Sequence, residues 1–182
     1  MLIKFLLSFG LVISFNSKAQ DYIPVDAGSK IHFVIKNFGI NTGGDFSGLK
    51  GNIHFSPDQI SASKFDVTVA VTTIDTDNKM RDKNLVSDEY FDAEKFPVIH
   101  IVSTKIEKTN KTSDGFYFFN GTLTIKGVTK DISFPFQAKQ NGNGFLFTGD
   151  FTIDRTAFGL GQKNIVLSNK VLVSLSVATT KH

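Results

Sequence analysis

The stretch FYFFNGTLTIKGVTKDISFPFQAK, Phe116–Lys139, decides the fold class. Its second half alternates: Ile132, Phe134, Phe136 and Ala138 on one side, Asp131, Ser133, Gln137 and Lys139 on the other. A period of two marks a strand with one buried face. Lys126-Gly127 separates it from a strand over Phe116–Ile125, and a two-residue connection containing glycine is a tight hairpin signal. Pro135 has no N–H for a ladder, so on the outward face it predicts an edge or a bulge.

The pattern extends in both directions. Upstream, Phe65, Val67, Val69 and Val71 oppose Asp66, Thr68 and Thr72. Earlier still, Lys30–Lys36 places Ile31, Phe33 and Ile35 inward, and a strand from about Gly48 places Ile53 and Phe55 inward. Asn37–Gly44 reads as a glycine-rich turn between those two strands. Val98–Ile106 forms a fourth strand whose register stays open, because both its faces are apolar early on. Asn110–Gly115 is a polar turn, and Asn141–Gly144 another, leading to Phe145, Phe147, Phe151 and Ile153 on one side. A loop over Asp154–Asn169 precedes the last strand, with Val171, Val173, Leu175 and Val177 inward. The sum is an all-β domain of about eight strands, an antiparallel barrel or sandwich. An eight-stranded barrel is either filled by its own side chains or holds one small ligand.

The exception is Ile74–Val98, IDTDNKMRDKNLVSDEYFDAEKFPV, a charged and aromatic insert between the third and fourth strands. Ser87 followed by Asp88 and Glu89 predicts a helix start, a capping hydroxyl with acids in the first turn. Pro97 ends the insert and steers Phe96 to an extended geometry. Asp75, Asp77, Asp82, Asp88, Glu89 and Asp92 do not have the spacing of a calcium loop, and Lys79, Arg81 and Lys83 interleave them, as in a solvated loop with ion pairs.

The N-terminus reads as a cleaved signal peptide over residues 1–19. Lys4 supplies the positive end, Phe5–Phe15 the apolar run, and Ser17-Lys18-Ala19 a small-x-small cleavage site. The run is shorter than the roughly 20 residues a spanning helix takes, so no integral membrane anchor is expected. Without that segment 18 basic and 17 acidic residues leave a net charge of +1, which removes the case for a nucleic-acid partner. Cysteine is absent and phenylalanine occurs 19 times. Stability therefore comes from core burial in place of disulfides, and phenylalanine builds large apolar walls with no polar atom to satisfy.

Catalysis finds no foothold. His32, His54, His100 and His182 are scattered singly, His32 and His54 on polar faces, with no metal-ligand spacing. No G-x-S-x-G surrounds a serine, and the glycine clusters match no phosphate loop. No catalytic residue, metal or cofactor is therefore expected. Arg81 beside Asp82 and Arg155 beside Asp154 have two readings: ion pairs that tie loops to the barrel, or groups facing a ligand's polar head. The buried parity of Phe33, Phe55, Phe65, Phe134, Phe136, Phe147 and Phe151 likewise fits a closed core or a ligand cavity.

Several motifs, in order, resemble the YceI family of polyisoprenoid-binding, lipocalin-like bacterial proteins. They are Ser29-x-Ile31-x-Phe33, Gly44-x-Phe46, Gly51-x-Ile53-x-Phe55, then Thr76-x-Asn78-x-x-Arg81-Asp82-x-x-Leu85, Phe91-Asp92 and Phe96-Pro97. Gly121-x-Leu123 through Lys130 and Asp154-Arg155-x-x-Phe158-Gly159 complete the set. The resemblance implies a lipocalin-like barrel over 20–182, exported to the periplasm, enclosing an apolar channel for a long-chain isoprenoid or other amphiphilic lipid; some members associate as homodimers. The expected wall comprises Phe33, Ile35, Phe46, Phe55, Val67 and Val69, then Phe134, Phe136, Phe147 and Phe151, with Phe91, Phe96 and Phe158 from the insert and last loop. The expected polar mouth is Asn37, Asn78, Arg81, Asp82, Asn84 and Arg155. Asn37 and Asn84 stand where many relatives carry histidine, which keeps a donor and an acceptor but removes a titratable group. The chain is thus expected to be a non-catalytic binding protein whose insert acts as a lid. The alternative is an interaction module with a solidly packed barrel.

Overall fold

Alternating faces become the inside and outside of a single closed sheet. The structure, a computed structural model, describes residues 20–109 and 115–182. The expected signal peptide and most of the Asn110–Gly115 turn lie outside the described residues.

The strands are β1 (Gln20–Asn37), β2 (Ile40–Phe46), β3 (Lys50–Phe55), β4 (Lys64–Ala70), β5 (Val98–Lys108), β6 (Phe116–Ile125), β7 (Val128–Asn141), β8 (Gly144–Asp154) and β9 (Leu167–Lys181). From β3 to β9 each is antiparallel to the next, and β1 closes the barrel by pairing with β3 and β9. β2 pairs with the second half of β1 and β3 with its first residues, so β2 and β3 form one interrupted stave of an eight-stave barrel. At the break, Gly48 and Leu49 lack ladder partners, and the Asp26 carboxylate accepts from both amides at 3.1 and 2.9 Å.

β2 corrects the expected glycine-rich turn over Asn37–Gly44. The turn itself is only Phe38-Gly39, with φ of 49° and 77°, and Ile40 already pairs with Asn37. The glycines behind it serve close packing. A Cβ on Gly44 would lie 2.6 Å from Thr76 Cγ2 and 2.8 Å from the Asp75 carbonyl, where the insert crosses β2.

β5 resolves its own ambiguity. Ile99 and Ile101 face inward, a bulge falls between Ser103 and Lys105, and after it Ile106 is buried. The bulge reverses the parity, which is why no single period describes the strand. Pro135 sits at a local edge: β7 pairs with β8 only from Phe136 onward, so among the described residues Val128–Pro135 has β6 as its sole ladder neighbour.

The helix of the insert is α1, Lys79–Leu85, and it does not start at Ser87. Asn78 caps it by accepting from the Met80 and Arg81 amides, while Ser87 lies past its end and donates to the Asn84 carbonyl. A side-chain cap earns its place only where the following amides lack partners, and Asn78 has that position. Two hydrophobic clusters result. One fills the barrel's lower part around Ile53, Phe55, Phe65 and Phe145. The other, with Val71, Ile74, Phe91, Leu123, Phe158 and Leu160, packs the insert and last loop onto the upper rim. Among the described residues no helix is long and apolar enough to cross a membrane.

Candidate functional site: an apolar barrel cavity

The barrel is sealed at one end and open-hearted above it. At the floor, the Phe55 ring meets Phe145 at 5.0 Å, Phe147 at 5.1 Å, Tyr117 at 5.3 Å and Phe65 at 6.1 Å, each pair steeply inclined. Edge-to-face rings interlock without a gap, so this end is a plug. Higher up, inward side chains come from staves that face one another across the barrel and leave a cavity of about 370 Å³.

The structure brings most of the predicted wall together. Phe33, Ile35, Phe46, Val67, Val69, Phe91, Phe134, Phe136, Phe147 and Phe151 line the cavity. Three do not. Phe55 belongs to the floor, 1% exposed; Phe158 is buried beneath the last loop; and Phe96 packs outside, its ring 2.7 Å from where a Cβ on Gly127 would stand. Aromatic identity cannot distinguish wall from floor, because parity fixes the side of the sheet and not the height along the axis. Sequence reasoning also passed over part of the wall. Val171, Val173, Leu175 and Val177 line it, and their inward parity was legible. Ile99 and Ile101 were hidden by the bulge, and Leu85, Tyr90, Leu160 and Leu167 come from segments with no period.

Of the predicted polar mouth, Asn37, Arg81, Asn84 and Arg155 border the cavity. Asn78 is spent as the α1 cap. Asp82 is turned inward to the insert: its Oδ1 accepts from the Thr76 amide at 2.9 Å and the Thr76 hydroxyl at 2.6 Å, with Lys79 Nζ 3.5 Å from Oδ2. The Thr76 hydroxyl bond, foremost, holds the Asp82 carboxyl below its ordinary pKa, against the opposing effect of burial. Asp154 is lowered in the same way, first by the Thr156 hydroxyl at 2.6 Å.

The arginines correct the ion-pair expectation. Arg81 donates through Nε to the Thr76 hydroxyl at 2.8 Å and through Nη2 to the Thr76 carbonyl. Arg155, 3% exposed, donates to the carbonyls of Ser168, Leu160, Gln162 and Leu167 at 2.9, 2.7, 3.0 and 3.4 Å. Among the described residues the ion pairs use lysines and histidines alone. A guanidinium offers five N–H donors in a fixed fork, and here the forks staple backbone turns beside the cavity. His32 and His54 are half-exposed on the outer face, each bonded to a cross-strand aspartate, Asp45 at 2.7 Å and Asp21 at 2.8 Å.

The insert closes the gap that β2 leaves beside β4. Asp45 and Asp75 exchange two backbone hydrogen bonds, 2.9 and 3.0 Å, and Phe91 sets its ring against Phe46 at 5.7 Å. Lys126 Nζ, over the far edge, donates to the carbonyls of Asp88, Glu89 and Gly159 at 2.7, 3.3 and 3.2 Å. The insert is thus held at both margins by polar contacts and from beneath by the apolar cluster around Val71, Ile74, Phe91 and Leu160.

A closed antiparallel barrel with a plugged base and an apolar interior has the architecture of a lipocalin-like barrel. The chain belongs to the YceI-like domain family, whose sequence pattern matches residues 22–179. A UPF0312 protein of Pseudomonas fluorescens is 31% identical over 152 residues, covering 78% of this chain and 77% of that one. The crystal structure of Burkholderia cenocepacia BcnA superposes with a TM-score of 0.77 at 26% identity, over 83% of this chain and 96% of the other. A structure described as a polyisoprenoid binding domain from Saccharophagus degradans, implicated in plant cell wall breakdown, shares the fold with a TM-score of 0.68. Its identity is 14%, over 91% of this chain and all of that one.

Proposed function

We propose that the protein is a non-catalytic periplasmic carrier that holds a long-chain isoprenoid or another amphiphilic lipid, tail down, in the barrel. The observation that carries this reading is the cavity: about 370 Å³, walled by phenylalanine and aliphatic side chains above a sealed floor. A solidly packed interaction module has no reason to keep such a space, since packing vacancies cost stability. Each methylene buried gains about 0.8 kcal/mol, so a chain of ~20 carbons gains roughly 16 kcal/mol against roughly 4–15 kcal/mol lost on association.

The head group sits among Asn37, Asn84 and Arg81. Both asparagines are exposed at the cavity rim, and Arg81 keeps Nη1 free of protein partners among the described residues. Amide and guanidinium donors favour a neutral or anionic head rich in acceptors, held without a proton transfer. The test is solvent extraction of protein purified from its host under mild conditions, followed by mass spectrometry of the extract. Lipid in stoichiometric amount is expected. No lipid in the extract, together with no binding of a fluorescent long-chain fatty acid, overturns the reading.

A further inference from the structure

The most exposed large hydrophobic side chains stand where the cavity's polar end lies. Among the described residues Ile165, Met80, Phe38 and Ile40 are 103, 83, 74 and 70% exposed, whereas the next most exposed, Leu172, is at 44%. Phe38 and Ile40 flank the β1–β2 tip, and the Phe38 amide donates to the Val166 carbonyl at 2.9 Å, so tip and last loop form one edge. Their neighbours Asn37 and Leu167 line the cavity, as do Arg81 and Asn84 of α1, the helix that carries Met80.

Phe38 also holds a φ of 49°. Bulky residues rarely adopt that conformation, and asparagine before glycine suits such a turn far better. A phenylalanine kept there, outside the core, against the turn's own preference, points to a use for the ring. Charge gathers on the same segments. Residues 36–40, 77–85 and 161–166 hold five basic and two acidic residues, net +3, while the rest of 20–182 holds 13 basic and 15 acidic, net −2.

We propose that this rim docks the barrel end-on to a bilayer containing anionic lipid. Phe38, Ile40, Met80 and Ile165 enter the interfacial layer, and the lysines beside them meet phosphate head groups. The cavity then opens onto the lipid it exchanges, a purpose that rests on the carrier reading, although docking itself does not require a filled barrel.

The test is flotation of the purified protein with vesicles of phosphatidylglycerol and phosphatidylethanolamine, against vesicles of phosphatidylcholine alone. Three proteins are compared: wild type, F38N/I165S, and L172S on the outer wall. F38N keeps the turn, so a folding defect does not mimic the effect, and melting temperatures check this. Wild type and L172S should float with the anionic vesicles, less so at high salt, and F38N/I165S should lose roughly ten-fold in bound fraction. Binding of a fluorescent fatty acid without vesicles should be equal in all three, with slower delivery to vesicles from F38N/I165S. Equal flotation of F38N/I165S and wild type, or no flotation of wild type, overturns the proposal. So does a dimer, seen by sedimentation, that the rim changes abolish while no vesicle is bound. Rim-dependent flotation with no uptake of the fatty acid upholds docking and overturns the carrier reading instead.

Discussion

The two ends of the barrel are closed by opposite means. The floor is shut by rings: Tyr22, Phe55, Phe65, Tyr117, Phe145 and Phe147 meet at centroid distances of 5.0 to 6.1 Å where their pairs are in contact. The upper end rests on a smaller apolar cluster and is tied by side-chain hydrogen bonds to backbone turns: Arg81, Lys126 and Arg155 donate to carbonyls, and Asp82 accepts from the Thr76 amide. Interlocked edge-to-face rings exclude water and depend on one another, so this end is expected to open only when the domain unfolds. The exposed ties of Lys126 exchange with water at small net cost, about 0.5–1.5 kcal/mol each, whereas the buried fork of Arg155 costs more to break. The contrast predicts that the upper end loses protection before the floor does.

The largest effect expected from breaking this contrast is at Phe55. Phe55→Ala removes a ring that is 1% exposed and should cost about 3–5 kcal/mol, read from chemical denaturation midpoints. A loss below about 1 kcal/mol would show that the floor is loosely packed. Next comes Arg155→Ala, which strips its donors from four carbonyls and should cost about 2–4 kcal/mol. Amide exchange should quicken in 155–167 before the floor strands respond. Uniform loss of protection would mean that the last loop and the floor unfold as one unit.

Enlarging side chains tests the same division more gently. Ala138→Phe in the floor cluster should cost about 1–3 kcal/mol through overpacking, whereas Val173→Phe in the cavity wall should cost under about 1 kcal/mol. The second variant should still lose bound lipid; unaltered lipid content would place the ligand elsewhere. The smallest effect concerns acid. Asp82 has a folded pKa below its unfolded value, so its contribution is present above about pH 4 and fades as pH falls through the folded pKa. Asp82→Asn should therefore flatten the acid limb of a melting-temperature profile while leaving the barrel's response to chemical denaturant slope unaltered. An unchanged limb would assign acid sensitivity to other carboxylates, Asp154 first.

Much of this was legible beforehand where one period holds along a strand. The hairpin at Lys126-Gly127, with φ of 49° and 73°, and the inward sets of β4, β7 and β9 follow from alternation and turn chemistry. Ile40–Phe46 was not legible, because its glycines answer to a chain crossing from 30 residues downstream and so mimic a turn. The helix of the insert was misplaced because Ser87 and Asn78 are both credible caps. The choice is made by Thr76, Arg81 and Asp82, which lock the start of the insert and present Asn78 to free amides.

The sequence by itself determined an antiparallel all-β domain, barrel or sandwich, with a phenylalanine-rich buried face, since burial parity and tight turns are local and repeat along most strands. Only the tertiary structure decided which rings plug the base and which line a space, and that the two arginines staple carbonyls and, among the described residues, form no ion pair. Height along a barrel axis and the partner of a guanidinium depend on stagger between staves and on segments far apart in the chain. No period in one strand records either.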